Sequence, residues 1–251
     1  MPVEFAYAQA RAQARQGDRL SADNWGLLES SVGLAQFLHL LRSTALAPRV
    51  EHFSGTTSPH VIERSLRREW HREVDLTRRW VPVRWRAAVA WTGWLSELPA
   101  VSHLLQSGAA LAWMKDDPVL SPFAAEDTDT IGSAIEEALP GLTADGRSGD
   151  DGLARWLAHW RRLWPQEAAD DRVLAGLVSL VERLGTVDRG DEAGEWRSNL
   201  ESKALRILRG HREQPVTVFC HLLLSALELH RLRQGLLQRA IFNDLDTEAT
   251  A

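Results

Sequence analysis

Apolar positions recur at three- and four-residue intervals along nearly the whole chain, the period of an α-helix with one buried face. Leu34, Phe37, Leu38 and Leu41 share one side of a helix over 31–43. Val218, Phe219, Leu222, Leu223, Ala226 and Leu229 share one side of another over 215–232. No run of alternating apolar and polar residues is flanked by hairpin turns, so the pattern predicts an all-α fold with no significant sheet. Helices are expected over 3–17, 22–30, 31–43, 59–80, 83–97, 99–114, 129–139, 151–164, 170–185, 191–212, 215–232 and 234–243. Pro59, Pro82, Pro99 and Pro215 each suit a first helical turn, and Ser58 suits the cap before Pro59. The segment 83–114 is less amphipathic, and its Trp85, Trp91, Trp94 and Trp113 place it centrally.

Polar residues carry the exceptions to a plain core pattern. Tyr7, Arg11 and Arg15 stand one turn apart in an alanine-spaced helix that Gly17 ends, and Ser21 caps the next. A ladder of one aromatic and two arginines is a face built for something polar or anionic: a partner protein, or a clamp inside the bundle. The stretch 64–86 carries eight arginines with Trp70, Trp80 and Trp85 among them. Arginine with aromatics also grips single-stranded nucleic acid. However, Glu63, Glu69, Glu73 and Asp75 lie in or beside the same stretch. Arg68 and Arg72 therefore read as part of a salt-bridged helix that meets an acidic protein. Trp156, Trp160 and Trp164 form a stripe, either core or, if exposed, a partner site.

The stretch 116–151 changes character, with ten acidic residues against the single basic Arg147. It reads as an acidic linker (116–150) with one short helix, parting an N-terminal lobe (1–115) from a C-terminal lobe (151–251). A second break falls at 188–191. Residues 63–105 and 201–237 share an order of motifs: a glutamate, a basic helix, a proline, an apolar helix and a leucine pair. This suggests a repeated helical unit.

Composition narrows the function. Across 251 residues the net charge is −5, which gives no global signature of nucleic-acid binding. Twenty-seven arginines against two lysines suit interfaces, where guanidinium pairs bidentately with carboxylates. Cys220 is the only cysteine, which excludes an internal disulfide and a multi-cysteine metal site and fits a reducing compartment. Charged residues within 2–20 argue against a signal region there, and no apolar stretch is long enough to span a bilayer. A cytoplasmic protein is expected. No Gly-Lys-Ser/Thr loop, Gly-x-Ser-x-Gly elbow or His-Glu-x-x-His helix occurs. His71-Arg72-Glu73 matches the start of a zinc deaminase signature, but the required cysteine pair is missing. His221 and His230 are two and a half turns apart and face opposite ways, so they do not share a metal. The acidic residues of 127–151 lack EF-hand spacing. Neither catalysis nor a cofactor is expected.

Three groups of residues at the front of the chain follow a family order: Phe5, Tyr7, Ala10-Arg11, Arg15 and Leu20-Ser21, then Phe37 to Thr44, then Ile62 to Leu66. A fourth lies at the other end, Leu200 to Phe242, including Glu228 to Arg233 and Arg239-Ala240-Ile241-Phe242. In these segments the chain resembles the AC39-like family of V-type ATPases and ATP synthases. Leu46 stands where that family has a tyrosine. The middle matches only in being helical, and family members are typically longer. The resemblance implies a funnel-like bundle of repeated helical units. It also implies a non-catalytic central-stalk adaptor, peripheral to the membrane, whose partners are the rotor-stalk subunits and the membrane proteolipid ring. It points to Glu63, at the start of an acidic helix, as the internal partner of Arg11 and Arg15, and to Arg239 in the final basic helix. The alternative is a free-standing helical scaffold or regulatory protein that binds another protein through Arg/Trp-rich faces.

Overall fold

The computed structural model describes residues 3–125, 127–143, 152–168, 171–186 and 193–248. Among them the chain forms thirteen α-helices and no strand: α1 (Ala6–Gly17), α2 (Ala22–Glu29), α3 (Leu34–Leu41), α4 (Ala47–Val50), α5 (Pro59–Arg78), α6 (Arg86–Trp91), α7 (Leu98–Ser107), α8 (Ala112–Lys115), α9 (Thr128–Ala138), α10 (Gly152–Arg162), α11 (Arg172–Thr186), α12 (Ala193–Gly210) and α13 (Pro215–Glu248). The all-α expectation holds. None of these helices is long and apolar enough to cross a membrane.

Local signals act where the sequence places them. The Ser21 hydroxyl accepts the Asn24 N–H at 3.1 Å and caps α2. Asp127 caps α9 through the Thr130 N–H at 2.8 Å. Pro59 and Pro215 open α5 and α13, whereas Pro82 stands one residue before a 3₁₀ turn, Val83–Trp85. The helix expected over 83–97 breaks into that turn, α6 and a further 3₁₀ segment, Thr92–Ser96. The one expected over 99–114 stops at Gly108, which closes α7 at φ 63°.

Two compact units result, Met1–Trp80 with Glu201–Ala251, and Val81–Leu200. This division differs from one at 116–150. The described part of that acidic stretch packs inside the second unit, because Ile131 and Ile135, one turn apart on α9, and Leu139 and Leu142 just after it are all buried.

In the first unit α13 packs against α5, α1 and α3. Leu34, Phe37, Leu41, Ile62, Leu232 and Leu236 are sealed from solvent there. The break expected near 233 is absent. Gly235 lies within a continuous α13, with the Phe37 ring packed against its α-carbon. The second unit gathers α6, α7, α9, α10 and α11. The suggested repeat does not reappear in the folded chain, since Pro215 opens one long helix and Pro82 precedes a series of short ones.

Candidate functional site

The polar residues of the first unit converge on α13. Thr217, His221, Ser225 and Glu228 stand three or four residues apart, so they form a polar seam on a helix that is otherwise apolar there, and all four are buried. Three other helices supply partners. From α1, Gln9 Oε1 accepts the Thr217 hydroxyl at 3.5 Å and the Glu213 N–H at 2.6 Å. From α5, Glu73 Oε1 lies 2.9 Å from His221 Nε2. From α4, Arg49 donates to Glu228 Oε2 at 2.9 Å. The Trp80 ring covers His221 with centroids 5.3 Å apart. Glu73 and His221 are 7% and 5% exposed, so the pair sits outside the reach of bulk water.

The electrostatics follow from that burial. Desolvation pushes the Glu73 carboxyl up, but the hydrogen bond and charge of His221, aided by Arg15 and Arg49, outweigh it and hold the group below its ordinary range. Burial alone pushes the Cys220 thiol up to about 12, which keeps it protonated and unreactive. His230 is exposed, on the opposite side from His221.

The N-terminal ladder docks at the edge of this seam, and not as one face. Arg11 stacks over Trp80, 5.5 Å from the ring centroid. Arg15 reaches Glu73 at 4.0 Å. Tyr7 is 60% exposed and stands apart from the clamp. Glu63 is not the arginines' partner. It takes a forked pair from Arg233, one arm at 2.9 Å, nearly three turns along α5 from Glu73. Arg239 is a structural strut: it donates to the Glu29 and Ser31 carbonyls, both at 2.9 Å, and lies over Phe37. Burial lowers its pKa, with Glu29 opposing. Arg68 bonds the Ser65 hydroxyl at 3.1 Å, and Arg72 pairs with Glu69 at 3.5 Å on the helix exterior.

The tryptophan stripe belongs to the second unit and is core. Trp156 and Trp160 are buried and Trp164 half-buried, with successive ring centroids 5.7 and 5.1 Å apart. Trp91 donates to the Trp156 carbonyl at 3.1 Å, and Trp160 to the Ala88 carbonyl at 3.0 Å. These two crossed bonds and the buried rings join α10 to α6, so the stripe is spent on internal packing and presents no partner face.

A cleft of about 480 Å³ in the second unit is lined by Thr128, Asp129, Ser133, Glu136, Thr143 and Arg155. Its two central charges are already engaged. Glu136 accepts the Gly141 N–H at 2.9 Å and the Thr143 hydroxyl, the latter chiefly holding its pKa low, and Arg155 donates to the Leu142 carbonyl at 2.8 Å. Among the described residues no group of three His, Cys, Asp or Glu is placed to hold a metal ion.

Sequence reasoning missed Glu73, Arg49 and Gln9 as partners of the seam. The available signal was the spacing of Thr217, His221, Ser225 and Glu228 within an apolar helix, which marks a buried polar row rather than a solvent face.

The architecture is that of an all-α protein of two compact units, one held by a polar clamp across its longest helix. Comparison with protein-family models, with curated proteins and with solved structures gives no match in any of the three.

Proposed function

We propose that this chain is a non-catalytic helical adaptor like the AC39-like members of V-type ATPases, coupling a rotor shaft to a membrane proteolipid ring. One observation carries the reading. The two segments that carry the resemblance, Phe5 to Leu66 and Leu200 to Phe242, lie at opposite ends of the sequence, yet they fold almost entirely into one compact unit. The middle, which matches only in being helical, makes up the other unit. A torque-bearing part needs a body that does not shear. Ties from α1, α4 and α5 to α13 suit that need, because they join elements through hydrogen bonds, the Arg49–Glu228 one charge-assisted, as well as packing.

Affinity capture of the tagged protein from its native host, with membranes solubilised in mild detergent and partners identified by mass spectrometry, tests the proposal. Stalk and proteolipid subunits are the expected partners. Recovery of soluble proteins alone, without any part of an ATPase, overturns it. In that case the free-standing scaffold leads, favoured by the arginines on the outer side of α5. Its tryptophan-based surfaces are not available, since the stripe is core.

A further inference from the structure

The folding of α5 changes the charge of its outer face. From Pro59 to Arg79 the sequence holds six arginines and four carboxylates, close to balance. Two of the carboxylates turn to α13, Glu63 to Arg233 and Glu73 to His221. Of the remainder, Glu69 pairs with Arg72 at 3.5 Å and Asp75 with Arg78 at 3.4 Å. At 100° per residue, Arg64, Arg68, Arg72 and Arg79 fall within a quarter-turn of one another, opposite the buried Ile62, Leu66, Trp70, Val74 and Thr77. Arg79 follows the last helical residue in helical conformation, so it continues the row. The result is a straight basic ridge about 22 Å long, with Asp75 the one carboxylate on its crest. Among the described residues, no carboxylate pairs with Arg64, Arg68 or Arg79.

We propose that this ridge docks an acidic helix of a partner protein, one whose carboxylates repeat every three or four residues. The charge is complementary, and a guanidinium fork matches a carboxylate two bonds at a time. The linear spacing matches that of a second helix lying alongside. A nucleic-acid strand fits less well. Trp70 and Trp80, which the sequence interleaves with these arginines, are both buried and offer no face for base stacking. The assignment does not depend on which assembly the protein joins.

Fluorescence anisotropy on the full-length protein tests it, with a labelled stapled peptide of the ridge's length as the probe. The peptide carries glutamate at every fourth position. A peptide of equal composition with its glutamates clustered at one end, and a short DNA duplex, serve as comparisons. The in-register peptide is expected to bind about tenfold more tightly than the clustered one, and binding should weaken with salt. The triple variant Arg64→Gln, Arg72→Gln, Arg79→Gln, which spares the Arg68–Ser65 bond, should lose about tenfold in affinity with little change in thermal midpoint, because Arg72 and Arg79 are exposed and the Arg72–Glu69 pair lies on the surface. The matching lysine variant should recover part of the loss, keeping the charge but not the fork. Equal binding of the two peptides, tighter binding of the duplex, no binding at low salt, or a glutamine variant as tight as wild type each overturns the proposal.

Discussion

At the scale of single residues, the Glu73–His221 pair is the most demanding feature of the fold. Two titratable groups are withdrawn from water, and that cost is offset chiefly by their own contact at 2.9 Å, with Arg15 4.0 Å from Glu73. Removing one partner leaves the other buried and uncompensated, whereas removing both removes the demand itself. Glu73→Ala should therefore cost about 3–5 kcal/mol, and Glu73→Leu with His221→Leu much less than the sum of the single changes. Urea denaturation of the four proteins of the cycle measures this, and additive losses would refute the coupling. The pH dependence has a definite sign. Glu73 titrates below its ordinary value of 4.5 in the folded chain, so it stabilises the protein above that value. That stability is lost as pH falls through the lowered folded value. The gap in thermal midpoint between wild type and Glu73→Gln should be full near neutrality and close progressively below about pH 4.5. Cys220 gives a simpler check: with its thiol pushed up to about 12 and sealed from solvent, it should react with iodoacetamide only after the protein is unfolded.

At the scale of elements, two glycines in helices predict opposite outcomes for one substitution. A Cβ at Gly235 falls 2.6 Å from Cζ of Phe37, whose ring is fully buried and cannot swing away. Gly235→Ala should destabilise by about 1–3 kcal/mol through overpacking, more than offsetting the helix-propensity gain of alanine. Gly176, in α11, has open space where a Cβ would go, so Gly176→Ala should stabilise by about 1 kcal/mol. Thermal unfolding of the two variants decides both signs. Elements were also what the sequence disclosed best. Leu34, Phe37, Leu38 and Leu41 are all buried, as their spacing requires. Spacing along one helix specifies a face, but it does not name what that face meets. The tryptophan stripe of α10 was legible as a stripe, yet it is the packing of α6, α7 and α11 against that helix that makes it core. α5 offers three glutamates, and Arg15 reaches Glu73 because Glu63 pairs with Arg233 and Glu69 with Arg72. The acidic stretch read as a linker because its charges drew attention away from Ile131 and Ile135, one turn apart, which bring α9 into the second unit.

At the scale of the molecule, the two ends of the chain build one unit around α13, and the second unit is a single intervening stretch. Every tie of the clamp, from Gln9–Thr217 to Arg49–Glu228, lies within the first unit. So do the sealed core residues around α13, from Leu34 on α3 to Leu236. A unit with its own core and polar ties should fold without the rest. Helix α12 crosses the boundary at Leu200 and Glu201, so it is kept whole by replacing only residues 81–192 with a flexible glycine–serine linker. That shortened chain should be helical by circular dichroism and unfold in one cooperative transition in urea. Glu73→Ala introduced into it should cost about as much as in the full chain, because every partner of Glu73 is retained. A shortened chain that lacks a cooperative transition would show that the first unit takes part of its stability from residues 81–192. If it folds, the same capture from detergent-solubilised membranes then bears on the adaptor reading. The unit that carries nearly all of the resemblance should retain stalk subunits by itself, and a folded first unit that retains none would count against assigning the coupling role to it.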